Sequence, residues 1–290
     1  MPSSLRSRSF VTLALLPALV IFIVFAIVPI IWSAYYGFFS WSGFGSLKFI
    51  GLDNYEMMLQ DPIFWRALKN NLILVASAII GQVPIALLLA LLLLKNNMFN
   101  RIIRSAVFMP MVLSTVVVGL IWGYIYQPQF GLVNTILEAV GLDSWTRAWL
   151  SDPKINMFAV SIPINWANIG PYLIIFIAAL QNISSEVNDA AKIDGAVGYR
   201  KLVFVTLPIM WETIVVTIVL CISGSLKAFD HVIVMTGGGP AQSTELLATY
   251  MYNNSFTVYR YGYGSAVSTM IILISALLIG LNYIITKRRS

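Results

Sequence analysis

The densest set of charged side chains lies between Glu186 and Pro208, EVNDAAKIDGAVGYRKLVFVTLP. Here three acids (Glu186, Asp189, Asp194) and three bases (Lys192, Arg200, Lys201) interrupt two apolar runs. Asp189-Ala190-Ala191-Lys192-Ile193 favours helix, and Asp194-Gly195 is a turn signal. From Tyr199 to Leu207 an apolar pattern resumes, until Pro208 forces a break or starts a new helix. The residues leave two readings open: a helix–turn–helix knob on a membrane surface, or an ordinary solvated loop.

Other candidates for chemistry are sparse. A lone cysteine, Cys221, excludes an internal disulfide and a cysteine metal cluster, and a lone histidine, His231, removes most zinc-site and triad chemistry. Thr236-Gly237-Gly238-Gly239-Pro240 is glycine-rich, but proline stands where a phosphate-binding loop needs lysine and Ser/Thr. A turn or a re-entrant loop is therefore expected there. Lys227 and Asp230, spaced i, i+3, can pair on a helix or mark a span boundary. Glu212 lies about 7.5 Å along a helix from Leu207, near enough to an interface to reach water. No catalytic set and no metal site is expected, and an intramembrane hydrolase is a weak alternative.

The elements that must position these residues belong in lipid. Of 290 residues 59% are apolar and 10% charged, and the mean hydropathy is +0.83. Soluble chains carry about 25% charge, so this one has too few polar groups to cover itself in water. The pattern predicts an all-α polytopic membrane protein, one transmembrane domain over 1–290, with spans at 11–32, 71–94, 105–126, 156–180, 207–226 and 265–286. The first is too long for a signal peptide core. The net charge of +6 sits in short clusters flanking apolar runs, which reads as membrane orientation rather than nucleic-acid binding. Six spans put both termini on one side. Segments on that side, with Arg6, Arg8, Lys95, Arg101, Arg104, Lys192, Arg200, Lys201, Lys287, Arg288 and Arg289, hold eleven bases in about 49 residues, against seven in about 105 on the other. Both termini and the 186–208 loop are thus expected in the cytoplasm. Five of the six spans carry no ionisable residue of the kind that ion-coupled carriers place there, so an ion-driven secondary carrier is a weaker alternative.

Against this background the 186–208 loop resembles the cytoplasmic loop of permease subunits of bacterial ABC importers, of the carbohydrate-uptake, maltose-type class. That loop has the form E-A-A, three residues, G-A, then an apolar helix ending L-P. Here stand Asp189-Ala190-Ala191, Gly195-Ala196, Leu202 and Leu207-Pro208, with Asp194 before the glycine. Asp189 replaces the usual glutamate and Leu202 a common phenylalanine. Phe49-Ile50-Gly51-Leu52-Asp53-Asn54-Tyr55, Asn165-Trp166, Met235 to Pro240 and Gly262 to Ala266 also fit, so the resemblance covers nearly the whole chain.

The resemblance implies a type I ABC importer permease fold in the bacterial inner membrane. The helix near Asp189 would enter a cleft on a cytoplasmic ATPase dimer that binds ATP and Mg, none being expected in this chain. Ala190 and Ala191 would allow close approach, and Gly195 the turn. A second, homologous permease subunit would complete the pore, and an extracytoplasmic solute-binding protein would deliver a sugar or oligosaccharide. Trp166, Ala167 and Asn168 match positions near the family's sugar site, as do Cys221, Gly224, Ser225 and Ala228 on the fifth span; Asn165 and Lys227 stand beside them on the expected substrate path. Lys227 leaves open a phosphorylated solute such as glycerol phosphate. Asn165 and Asn168 also have a purely structural reading, as partners for backbone that Pro163 and Pro171 break.

Overall fold

The structure, a computed structural model, describes residues 8–287. Arg6, Arg288 and Arg289, counted above, lie outside them. The chain runs α1 (Ala14–Tyr36), α2 (Asp53–Gln60), α3 (Pro62–Leu92), α4 (Met98–Val112), α5 (Thr115–Ile125), α6 (Leu132–Ala139), α7 (Asn156–Gln181), α8 (Ser185–Ile193), α9 (Tyr199–Ile209), α10 (Trp211–Leu226), α11 (Asp230–Met235), α12 (Leu247–Tyr252) and α13 (Tyr261–Thr286). Among the described residues α1, α3, α7 and α13 are long and apolar enough to cross a membrane singly. The pairs α4–α5 and α9–α10 do so bent, giving up to six crossings.

Those two bends divide runs that were expected as single spans. The 105–126 run is divided between α4 and α5, which meet at 100°. Pro110 lacks an N–H to bond, and Leu113 and Ser114 adopt extended backbone (ψ 146° and 137°) before α5 begins. The 207–226 run starts earlier, as α9, and turns 68° at Met210 into α10. Three prolines also widen their helices. The π-helical turns Ile23–Ile27, Ala78–Gln82 and Leu202–Thr206 end just ahead of Pro29, Pro84 and Pro208. A proline ring collides with the carbonyl four residues back, and a longer-range bond moves that carbonyl aside.

By contacts the chain divides into two compact units, 1–62 with 251–273, and 63–250 with 274–290. In the first, α1 exposes its apolar side chains from Leu15 to Trp32. A two-stranded hairpin pairs Phe39 with Phe49 and Ser40 with Lys48. The buried Asn54 amide donates to the Gly37 and Phe39 carbonyls at 2.9 Å each, which explains an asparagine at that place in the loop.

The second unit packs the far half of α3, and α4, on α7. Ala86, Ala90, Leu173 and Phe176 are wholly buried there. Gly170 of α7 brings the α4 backbone close: a β-carbon would stand 2.7 Å from the Phe108 Cα. Arg104, counted above only as an orientation charge, closes the end of α3. Its guanidinium donates to the carbonyls of Leu93, Leu94 (3.1 Å) and Lys95 (3.1 Å), which have no partners within the helix.

Candidate functional site

The 186–208 segment is a folded knob. Its helix α8 begins at Ser185, four residues before Asp189, because Ser184 caps it: the Ser184 hydroxyl accepts from the Val187 N–H at 3.4 Å. Bonds from the Ser184 hydroxyl and the helix's own backbone hold the exposed Glu186 carboxyl below the ordinary carboxylate range. Lys192 donates to Asp189 at 2.7 Å on the open face, and this bond and charge hold Asp189 low as well. Asp194 is the C-cap. Gly195 follows at φ +73°, its N–H bonded to the Lys192 carbonyl (3.1 Å) and the Ala196 N–H to that of Ala191 (2.8 Å). This paired closure needs a left-handed residue at Gly195.

The two alanines have different surroundings. Ala190 is exposed, whereas Ala191 is buried within the chain, so Ala190 alone of the pair is open to a partner. Ile193, Val197 and Tyr199 add exposed apolar surface around the turn. Behind the knob a hollow of about 540 Å³ separates it from the ends of α3 and α7, lined by Leu91, Leu94, Leu180, Lys192, Lys201 and Leu202. From Gly198 the chain enters α9, passes Leu207 and Pro208, bends at the buried Met210 and continues as α10.

That same α10 carries one wall of a polar cavity of about 180 Å³. Gln82, Thr115, Asn168, Tyr172, Cys221, Ser225, Lys227, Asp230 and His231 line it. Of the sequence candidates, Asn168, Cys221, Gly224, Ser225, Lys227 and Ala228 meet here. Asn165 is linked to the cavity through Gln82, which donates to its side-chain oxygen at 2.7 Å, while Asn165 donates to the Ser77 hydroxyl at 3.1 Å. Trp166 is not in the lining; its ring packs edge-on against Trp122, 5.8 Å between centroids. Asn165 bonds side chains, whereas Asn168 donates to a backbone carbonyl of its own helix, that of Ile164 (2.7 Å).

Gln82, Tyr172, Thr115, Asp230 and His231 escaped sequence reasoning as members of one site. Gln82 had a readable signal, as the one amide in the middle of the apolar 71–94 run, which otherwise has only Asn71 at its start, and such residues default to function. The rest are brought together only by folding: Thr115, at the start of α5, lies 3.3 Å from the Asp230 carboxylate. His231 is buried with its Nε2 unpartnered, and burial pushes its imidazole below the usual range against the opposing pull of Asp230. Asn71 fixes the site's rim: its amide donates to the Ser225 carbonyl (2.9 Å) and accepts from the Leu247 N–H (2.8 Å).

The glycine-rich segment is a tied turn. The Thr236 and Thr244 hydroxyls bond each other at 2.7 Å, and Thr244 donates to the Gly239 carbonyl at 3.0 Å. Asn70 and Arg66 of α3 hold it through the carbonyls of Ser243, Glu245 and Ala241, and Asn156 of α7 through the Ser243 hydroxyl.

Residues 82–290 match the model of the family described as binding-protein-dependent transport system inner membrane component. The chain is 36% identical to a probable ABC transporter permease, YurN, of Bacillus subtilis, over 91% of each chain. It is 34% identical to the lactose transport system permease LacF of Rhizobium radiobacter, over 94% of this chain and 92% of that one. It is 32% identical to the diacetylchitobiose uptake permease NgcF of Streptomyces coelicolor, over 93% and 80%. The fold matches a chain of a bacterial ABC transporter involved in import of the acidic polysaccharide alginate, with TM-score 0.81 at 23% identity over 98% of this chain and 97% of that one. With a family match over most of its length and relatives along nearly all of it, the chain belongs to the inner membrane components of binding-protein-dependent transport systems, the multi-pass permease subunits of ABC transporters.

Proposed function

We propose that this permease carries a neutral sugar or oligosaccharide inward, as one transmembrane domain with both termini and the 186–208 knob in the cytoplasm. The carrying observation is that one continuous run of chain joins the exposed knob to a polar cavity wall, through α9, the Met210 bend and α10. A cytoplasmic ATPase dimer, which binds the ATP and Mg, grips α8. Asp189, Ala190, Asp194 and the exposed apolar Ile193 and Tyr199 form the contact, and Gly195, Ala196, Leu202, Leu207 and Pro208 shape it. Closure of that dimer rocks α8 and α9 as packed elements and re-faces the cavity, a rigid-body switch. A second permease subunit completes the path and an extracytoplasmic binding protein supplies the solute.

The cavity's chemistry favours an uncharged polyol. Gln82, Asn168, Tyr172 and Ser225 offer donors and acceptors suited to hydroxyls, and Tyr172 an aromatic face. Lys227 shares the lining with Asp230, so the site carries one charge of each sign, and buried His231 favours its neutral form. That balance weighs against a phosphorylated or acidic solute. The relatives named for lactose and diacetylchitobiose transport agree with this class. The test is reconstitution in proteoliposomes with the two partner subunits and the binding protein. Uptake of labelled oligosaccharide should require internal ATP, survive collapse of ion gradients and deliver the solute intact. Concentrative uptake by this chain alone would refute the proposal.

A further inference from the structure

At the end of α3 and α7 opposite the knob lies a second hollow, of about 450 Å³. Arg66 and Lys69, on one face of α3, and Lys154, just ahead of α7, contribute three exposed cations to its lining, and no carboxylate lines it. Three of the seven bases assigned to that side of the membrane thus converge on one site, where the charge rule predicts few. Ile73, Met157 and Phe158 continue the same lining with apolar side chains. Arg66 and Ile73 are seven residues apart on one helix, about 10 Å at 1.5 Å per residue. That is the scale of a headgroup layer passing into hydrocarbon. The Arg66 guanidinium also donates to the Ala241 carbonyl at 2.6 Å, which keeps the hollow's rim in place.

We infer that this hollow is a binding site for an anionic phospholipid, with the phosphate among Arg66, Lys69 and Lys154 and an acyl chain along Ile73, Met157 and Phe158. A soluble anion would find the cations but gain nothing from the apolar continuation, and a zwitterionic lipid would find the apolar wall without a matching net charge. Basic pockets between transmembrane helices hold anionic headgroups on this principle, each cation near the headgroup contributing roughly fivefold in affinity. The site itself depends only on α3 and α7 crossing the membrane; assigning it to the outer leaflet rests on the orientation proposed above.

The experiment is native mass spectrometry of the full chain in neutral detergent, titrated with dioleoylphosphatidylglycerol or dioleoylphosphatidylcholine. Wild type should retain the anionic lipid preferentially. Lys69→Gln with Lys154→Gln should weaken its retention about 25-fold, whereas Lys69→Arg with Lys154→Arg should keep it. Glycerol 1-phosphate at millimolar concentration should not displace the lipid. Equal retention of the two lipids, or no loss in the Gln pair while the Arg pair behaves as wild type, overturns the inference. Displacement by glycerol 1-phosphate would make it a soluble-anion site; in a parallel titration with polyglutamate, binding that the Gln pair loses while its lipid retention is unchanged would make it a protein-docking surface; both refute the inference. In liposomes with the anionic lipid in one leaflet, the lipid should be retained from the leaflet opposite α8; retention from the α8 side alone would overturn the inference.

Discussion

Gly195→Ala isolates what the turn after α8 contributes. Gly195 sits at φ +73° with nothing within 4 Å of where a β-carbon would stand, so alanine meets no neighbour and the whole cost is backbone strain. A left-handed L-residue costs about 1–2 kcal/mol, a factor of roughly 5–30 against the folded turn. The chain provides its own control. Gly141, after α6, closes its helix the same way at φ +76°, with Gly141 N–H to the Glu138 carbonyl (3.0 Å), Leu142 N–H to that of Leu137 (2.8 Å), and open space at its β position. Gly141→Ala carries the same strain far from the knob. In the reconstituted importer both variants should lose similar stability, read as the thermal midpoint in detergent. Gly195→Ala alone should lower sugar taken up per ATP hydrolysed, severalfold, and Gly195→Asn should restore most of it, since asparagine tolerates the left-handed region. If the two alanine variants transport alike once normalised to assembled complex, the turn's geometry does not carry the force. If asparagine is as damaging as alanine, the position is limited by a partner's surface rather than by its own backbone.

Removing the Asn71 side-chain amide strands the Leu247 N–H and leaves the Ser225 carbonyl with only its longer backbone bond from the Ala228 N–H (3.4 Å). Asn71→Leu should therefore cost about 1–3 kcal/mol, seen as a lowered unfolding midpoint; a change under about 0.5 kcal/mol would mean that neither bond matters. His231 gives a pH signature. Its folded-state pKa lies below the free value, so the neutral form is favoured by folding; that stability is complete above the ordinary imidazole value of about 6.5 and is lost as pH falls through the lowered one. Binding-dependent uptake and thermal stability should both fall on that acid side, against the nearby Lys227, Asp230 and Thr115. His231→Gln should flatten the decline, and an unchanged profile would assign it to another group.

Composition and hydropathy made the helices legible, because a chain with this few charges has only lipid as a solvent in which every backbone bond closes on itself. The knob was legible as one of two readings, through the helical run from Asp189 and the Asp194-Gly195 turn; the Ser184 cap that starts its helix came only with the structure. The bends were harder to read. Pro110 and Pro208 announce a disturbance, but only the surrounding packing decides whether the helix breaks, as near Leu113, or swells into a π-turn, as over Leu202–Thr206. Ala191 shows the same limit: propensity says that it is small and helical, and burial then turns it inward. The cavity was least legible. Thr115, Asp230 and His231 look like boundary residues because their meeting depends on α5 folding back at 100° to pack on α11.

The three proline-linked π-turns bear on how such a chain can move without unfolding. A helix in lipid cannot open a backbone bond to water, since an unpaired group there costs several kcal/mol. A π-turn instead holds one extra residue per turn with its bonds made, so that a helix can rotate its lower half relative to its upper half by sliding that extra residue, breaking few bonds at a time. The turn at Ala78–Gln82 places Gln82 against Asn165 and the Cys221 thiol (3.6 Å), and so joins α3, α7 and α10 at one level. The turn at Leu202–Thr206 lies in α9 between the knob and the Met210 bend. Under the proposed coupling, a push on α8 would meet first a segment able to twist and then a fixed corner, and the torque would arrive at α10 beside Gln82. Straightening the first element, by Pro208→Ala, removes the reason for its π-turn; the knob should still fold and ATP should still be hydrolysed, with less solute moved per turnover. Equal coupling in that variant, together with a retained π-turn, would show that proline neither sets the twist nor transmits it.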